Sequence, residues 1–312
     1  MKTWFERAIF LSWYCGRGDC KFCYMSTQKD KIKDPRLARR RISSILAEVI
    51  ICKNLGWKIE FLSGGYESFT SDELLDLFKK IFEITKEKQW LNIGVIKEED
   101  IIKFLPYIKG LCGAVECVNE KVHKYVCPSK PIKEITDMYE LCDKHNLEKA
   151  MTIILGLGET EDDIPKLIKF IQENKIKNVT FYRLNPQKET EFKEGPTTEY
   201  YVKWLKEIRK EFPNLNIIAG SWVNHVDEIH ELLNAGANNF TKFPSIKLFN
   251  SKFAQTIEKE CKTANREFQG SLTKLPNINW DNEIKKLSFD DKLKENIKVK
   301  LNSYLKKMGR SL

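Results

Sequence analysis

Short apolar runs alternate along this chain with longer segments whose apolar residues recur at helical spacing. The runs lie at 8–14 (AIFLSWY), 57–63 (WKIEFLS), 91–96 (LNIGVI), 111–117 (LCGAVEC), 150–156 (AMTIILG), 178–184 (NVTFYRL), 215–221 (LNIIAGS) and 238–243 (NNFTKF). Runs this short and this apolar suit strands buried on both faces. Between them, ISSILAEVIICKNL, SDELLDLFKKIFEIT, DDIPKLIKFIQEN and EYYVKWLKEIRKEF carry the spacing of amphipathic helices. Several open after Ser, Thr or Asp, residues that cap helix N-termini.

Eight strands, each followed by a helix, are the number that closes a parallel barrel. The connections at 97–110 and 225–235 are short, as barrel helices can be. The predicted fold is therefore α/β, a (βα)8 TIM-type barrel over residues 1–246; an open doubly wound sheet built from similar units is the alternative. After Phe243 the alternation stops. Residues 247–312 read as a helical extension packed on the barrel, with amphipathic pieces at 252–268 and 290–308 and breaks at Pro276, Asn277 and Asn279.

Composition changes this picture little. A chain of 312 residues, 42% hydrophobic, can bury one large core, and barrels of this size are single domains. The net charge of +9 comes from 53 Lys and Arg against 44 Asp and Glu. No stripe of basic residues interleaved with stacking aromatics accompanies it, so the lysines read as solvated helix faces and nucleic acid is not an expected partner. The Lys-rich C-terminal end is the one region that keeps an RNA contact open. Glu6 and Arg7 interrupt what would be the apolar stretch of a signal peptide. No apolar run approaches a membrane span, and nine scattered cysteines do not suit a secreted disulfide framework. A cytoplasmic protein with no membrane partner is expected.

Three of the cysteines are not scattered. Cys15, Cys20 and Cys23 form C-x4-C-x2-C directly after the first strand, with Gly16 and Gly18 allowing a tight loop. Thiolates bind iron–sulfur clusters and structural zinc. Zinc wants four ligands, and no second CxxC or CxxH lies nearby. Three unrelated buried thiols are the remaining reading, but CGRGDCKFC is poor core material. Three clustered thiols suggest a [4Fe–4S] cluster with one iron open to a small molecule. Barrel enzymes collect their catalytic groups after strand C-termini, which is where this loop lies.

Other strand ends carry polar or glycine residues. Gly64 and Gly65 follow the second strand and allow close backbone approach to a ligand, or a simple helix-capping turn. Glu116 ends the fourth strand, as a functional carboxylate or a surface ion pair. Gly156 follows the fifth, where a plain strand-to-helix turn would also use it. Arg183 lies late on the sixth and suits a carboxylate or phosphate. Ser221, Asn224 and His225 follow the seventh, Thr241 and Lys242 the eighth. Together these describe a polar pocket suited to an anionic substrate. Cys52, Cys142 and Cys261 read as core residues, while Cys127 follows strand four and could approach the cavity.

CGRGDCKFCYMS resembles the cluster loop of radical S-adenosylmethionine (SAM) enzymes, including the aromatic Phe22 before the third cysteine. The familiar spacing places three residues between the first two cysteines; four stand here. FLSGGYES (61–68) is similar to the family's strand-two glycine motif, which contacts the methionine amino group, although Tyr66 intervenes before the acid Glu67. AVECVNE is similar to the ET-x-N segment of the biotin synthase-like branch, and ILGLGET to the fifth-strand glycine motif near the adenine. The resemblance implies a [4Fe–4S] cluster on Cys15, Cys20 and Cys23. It implies S-adenosyl-L-methionine held by Phe22, Ser63, Gly64, Gly65, Glu67, Glu116 and Gly156. Arg183, Ser221, Asn224 and Lys242 would position a small substrate. A ferredoxin or flavodoxin would supply the electron that releases a 5′-deoxyadenosyl radical for hydrogen abstraction.

Within the family, CKFCYMSTQ, LSGGYES and CPSKPI look most like the biotin synthase-related enzymes of iron–guanylylpyridinol cofactor biosynthesis for [Fe]-hydrogenase, a small group whose first spacing is widened to five residues, one more than the four here. That would imply an anaerobe and work on the pyridinol ring. Another biotin synthase-like enzyme of cofactor biosynthesis, a tRNA-modifying radical enzyme and a non-catalytic iron–sulfur carrier are the alternatives.

Overall fold

The computed structural model describes residues 1–309. Ten strands are formed. β1 (Lys2–Trp4) and β10 (Glu267–Gln269) make a small parallel pair. The other eight, β2 (Glu6–Phe10), β3 (Lys58–Ser63), β4 (Gln89–Asn92), β5 (Ile108–Glu116), β6 (Glu148–Leu155), β7 (Asn178–Arg183), β8 (Asn216–Gly220) and β9 (Asn239–Thr241), form one parallel sheet in chain order. Each predicted run contributes one of them. The sheet curls into a nearly closed α/β barrel of the TIM type, and the Phe5–Phe240 bridge closes the seam between its first and last strands.

The helices form where the apolar periodicity places them. In Ser71–Thr85, Leu74, Leu77, Phe78, Ile81 and Ile84 make the buried stripe. Thr70 and Glu73 form a capping box at its start, and Lys86 ends it in a left-handed conformation. Trimming Leu77 to Ala in that stripe costs about 2–5 kcal/mol. Helix Ile42–Asn54 is buried on nearly every face from Ile45 to Cys52, because the barrel lies on one side and helix Asp291–Met308 covers the other.

Several boundaries differ from the sequence reading; the run at 91–96 forms a strand only over Gln89–Asn92, because the chain turns at Gly94 with φ +91°. The first strand stops at Phe10 rather than at residue 14, since Ser12 pairs with Arg39 and turns the chain out of the sheet. The amphipathic stretch 252–268 is helical only over Lys252–Thr263; its end becomes β10, paired with β1. Cys52, Cys142 and Cys261 are fully buried core residues. The extension meets the barrel along its length, with β10 on β1, helix Lys252–Thr263 against 223–234, Ser271 on Trp57, and helix Asp291–Met308 on helix Ile42–Asn54.

Candidate active site

At the C-terminal ends of the barrel strands lies a cavity of about 950 Å³, at the upper end of the range for small-molecule sites. Phe10, Ser63, Asn92, Glu116 and Arg183, the last residues of five strands, and Lys242, just after a sixth, all reach it. The three cysteines lie on one wall, half-buried, and all line the cavity. Their loop is pinned from several sides. Gly16 N–H donates to the Tyr66 carbonyl at 2.9 Å and Lys21 N–H to that of Val126 at 2.9 Å. Arg17 donates to the Ser129 carbonyl at 2.6 Å, pairs with Glu134 and lies 4.1 Å over the Tyr66 ring. Phe22 packs beside Cys20 and lines the same cavity.

The two glycines after β3 have different jobs. A Cβ on Gly65 would lie 2.3 Å from the Tyr14 carbonyl oxygen and 2.4 Å from the Cys15 Cβ, so this residue lets the cysteine loop sit against β3. A Cβ on Gly64 would meet nothing closer than 3.8 Å. Gly64 therefore exposes bare backbone to the cavity, with Ser63 beside it. Tyr66 fills the space over Gly94, which has φ +91°, and accepts a hydrogen bond from Val95 N–H.

Glu116 ends β5 with φ +62°, a strained backbone for a non-glycine residue. Its carboxylate accepts from Lys130 Nζ at 3.3 Å and from Thr152 Oγ1 at 3.1 Å while lining the cavity. Burial alone would lower the Lys130 ammonium, but Glu116 holds it above its ordinary value. Cys127 is buried against Cys20 and Phe22, behind the cysteine loop and off the cavity.

Four expected cofactor or substrate contacts lie elsewhere, and a fifth has its polar end engaged. Glu67 is exposed and backs onto Gly16 from outside the loop, because the intervening Tyr66 takes the inward position. Gly156, with φ +104°, packs under Pro196, its N–H capped by Glu159 at 2.6 Å. Ser221 donates to Glu228 at 2.8 Å and to the His225 carbonyl at 2.7 Å, and Asn224 faces solvent. Arg183 touches the cavity, but its guanidinium is spent on Glu228, Thr198 and the Pro196 carbonyl. Both members of the Arg183–Glu228 pair are at most 5% exposed.

Lys242 is the cation of that wall left open. It follows β9 with φ +72°, lines the cavity, and has no carboxylate within ion-pair distance among the described residues. Its ammonium lies 4.3 Å from the centre of the Tyr182 ring, with Phe10 and Trp222 further out. Burial lowers its pKa. Below it, Tyr182 and Thr241 donate to Glu60 at 2.5 and 2.6 Å, and Asn239 donates to Glu6 at 2.5 Å. Burial raises the Glu60 carboxyl and pushes Glu6 up to about 7. Sequence reasoning missed Asn92, Lys130 and Trp222. A signal existed for Asn92, a polar residue inside an apolar run, and for Lys130, a lysine in the CPSKP turn after β5.

The Radical SAM superfamily profile matches residues 13–171, which contain the cysteine loop, Gly64 and Glu116. An uncharacterized protein of Methanocaldococcus jannaschii is 42% identical, covering 99% of this chain and 90% of its own length. The FeFe-hydrogenase maturase HydG from Carboxydothermus hydrogenoformans superposes with a TM-score of 0.69 at 13% identity, over 99% of this chain and 79% of that one. Methylornithine synthase gives 0.66 at 18%, over 77% and 72%. The chain belongs to the radical SAM superfamily. Enzymes of this superfamily cleave S-adenosylmethionine at a [4Fe–4S] cluster, and this chain is such an enzyme, with those two cofactors.

The residues present fit that pair of cofactors. Among the described residues no three Cys, His, Asp or Glu side chains converge on a single-ion site; thiolates that each bind a different iron stand further apart than ligands of one ion. Three thiols on one cavity wall, bare backbone at Gly64 and a carboxylate at Glu116 face the same space. Among the described residues, no helix is long and apolar enough to cross a membrane.

Proposed function

We propose that Cys15, Cys20 and Cys23 carry the cluster, that Ser63, Gly64 and Glu116 hold S-adenosylmethionine, and that Lys242 receives an anionic group of a small substrate. The observation behind this reading is that all seven line one cavity. When bound, a reduced cluster and S-adenosylmethionine supply a carbon-centred radical that abstracts hydrogen. The chain's own residues do the rest. Gly64 lets the ligand approach its backbone, and Glu116, fixed by Lys130 and Thr152, offers a positioned acceptor. The Lys242 ammonium, screened from water by Phe10, Tyr182 and Trp222, attracts a carboxylate or phosphate more strongly than an exposed lysine would.

A small electron carrier of the ferredoxin or flavodoxin class supplies the electron; these are acidic proteins, and the net charge of +9 favours their approach. The enzyme works in the cytoplasm of an anaerobe. The CKFCYMSTQ, LSGGYES and CPSKPI segments support a finer reading, a step in building the guanylylpyridinol cofactor of [Fe]-hydrogenase. The similar uncharacterized protein carries no assigned reaction that would favour another pathway.

The test is anaerobic reconstitution with iron and sulfide, reduction with dithionite, and measurement of 5′-deoxyadenosine from S-adenosylmethionine. Cleavage is expected, and Lys242→Met should keep this substrate-independent rate. A [4Fe–4S] spectrum with no cleavage would sink the reading. Co-purification with RNA, lost steeply with salt, would favour a tRNA-modifying enzyme instead.

A further inference from the structure

The seam of the barrel carries more positive charge than the fold uses. β2 and β9 meet through the Phe5–Phe240 bridge, and beyond it the cavity wall continues sideways to Arg7, Arg40, Glu48, Tyr304, Lys247 and Lys307. Arg7 and Arg40 both bind the buried Glu48 carboxylate. Burial alone would push that carboxyl up, but the two guanidiniums hold it below its ordinary value. One guanidinium would neutralise it. Lys247 and Lys307 are exposed and have no ion-pair partner among the described residues. Four cations therefore face one carboxylate.

The arginines are also held ready. Arg40 donates to the Phe10 carbonyl at 2.9 Å and to Tyr304 Oη at 3.3 Å, and Tyr304 is hydrogen-bonded to Ser44 at 2.7 Å. Arg7 donates to Ser245 Oγ at 3.1 Å. Arg7 Nη2 and Arg40 Nε make no hydrogen bond among the described residues, so each keeps a donor free. Guanidiniums fixed in this way bind anions with little loss of side-chain freedom.

We infer that this seam is a second anion subsite of the substrate chamber, built for a phosphoryl group of the substrate. The inference rests on the reading of the cavity as a substrate chamber. A phosphate dianion offsets more of the excess charge than a single carboxylate does, and planar guanidiniums with flanking ammoniums suit its tetrahedral oxygens. Because Lys242 lines the same cavity, the substrate class is a small molecule with two anionic groups, one of them a phosphoryl group.

The test is calorimetric titration of the reconstituted full-length protein with pyrophosphate, inorganic phosphate and succinate at fixed, low ionic strength. It needs no cleavage of S-adenosylmethionine, so its failure and that of the proposed reaction are separable. Pyrophosphate and phosphate should bind the wild-type protein more tightly than succinate. The exposed double substitution Lys247→Gln/Lys307→Gln should weaken phosphate binding by about fivefold, while Lys292→Gln, on the exposed face of the last helix, should leave it unchanged. Absence of phosphate binding at millimolar concentration would overturn the inference. So would equal binding by the double variant, equal loss in the Lys292 variant, or succinate binding as tightly as phosphate.

Discussion

The two sides of the barrel mouth treat their polar residues in opposite ways. Along β2–β5 the strand ends leave groups open to the cavity: three thiols, the bare backbone of Gly64, Asn92 and the Glu116 carboxylate. Along β7–β8 the comparable groups close on one another. Arg183, Thr198, Ser221 and Glu228 form one network, while Lys242, just after β9, still faces the chamber as a cation. A polar residue at a strand's C-terminal end thus marks the active face of a barrel, but its partners decide whether it meets a ligand or holds the wall in place.

The largest effect should come from the open side. Replacing Cys15, Cys20 or Cys23 singly by Ala should abolish the reconstituted cluster, read as loss of iron and of the visible absorbance. On the closed side, Glu228→Ala should leave Arg183 as an uncompensated buried charge and cost about 3–5 kcal/mol in denaturant unfolding. An Arg183→Met/Glu228→Leu double variant should be far less affected. If Glu228→Ala were stable and bound substrate more weakly, Arg183 would belong to the site after all.

Beneath both sides lie two buried carboxyls, Glu6 and Glu60, whose protonation burial favours. Burial pushes the Glu6 carboxyl up to about 7 from an ordinary 4.5, so the folded chain holds this proton where the unfolded chain releases it. Stability is then highest below pH 4.5 as far as Glu6 is concerned, and is lost as pH rises toward 7, by at most about 3 kcal/mol. Glu6→Gln should remove that slope, read from unfolding midpoints between pH 5 and pH 8. Gly65→Ala should be smaller, about 1–3 kcal/mol with poorer cluster incorporation, because its new methyl meets Cys15. Gly64→Ala should leave cluster loading intact and raise the KM for S-adenosylmethionine. Lys242→Met should raise the substrate KM about tenfold, the loss of one charge-assisted hydrogen bond.

Much of this was legible in the chain. All eight barrel strands announce themselves as apolar runs, and the cysteine loop stands out because charged and glycine neighbours cannot be core. The first strand read too long because Leu11 and Trp13 are apolar for other reasons, Leu11 as core and Trp13 as a ring stacked on Phe10 at 4.7 Å. β10 was hidden because EFQ has no local strand signal and forms only against β1. Arg183 and Lys242 look alike in sequence. What separates them is Glu228, 45 residues from Arg183 along the chain, a partner that spacing does not reveal. Glu67 was misread because the inserted Tyr66 turns it outward.

The central claim is that three thiols and the backbone at Gly64 share one chamber in which a cluster iron stays open to S-adenosylmethionine. Electron paramagnetic resonance of the dithionite-reduced, reconstituted protein tests it directly. Adding S-adenosylmethionine should change the spectrum of the reduced [4Fe–4S] cluster, and the change should be weaker in Gly64→Ala at equal cluster content. A spectrum that S-adenosylmethionine leaves untouched would contradict the account.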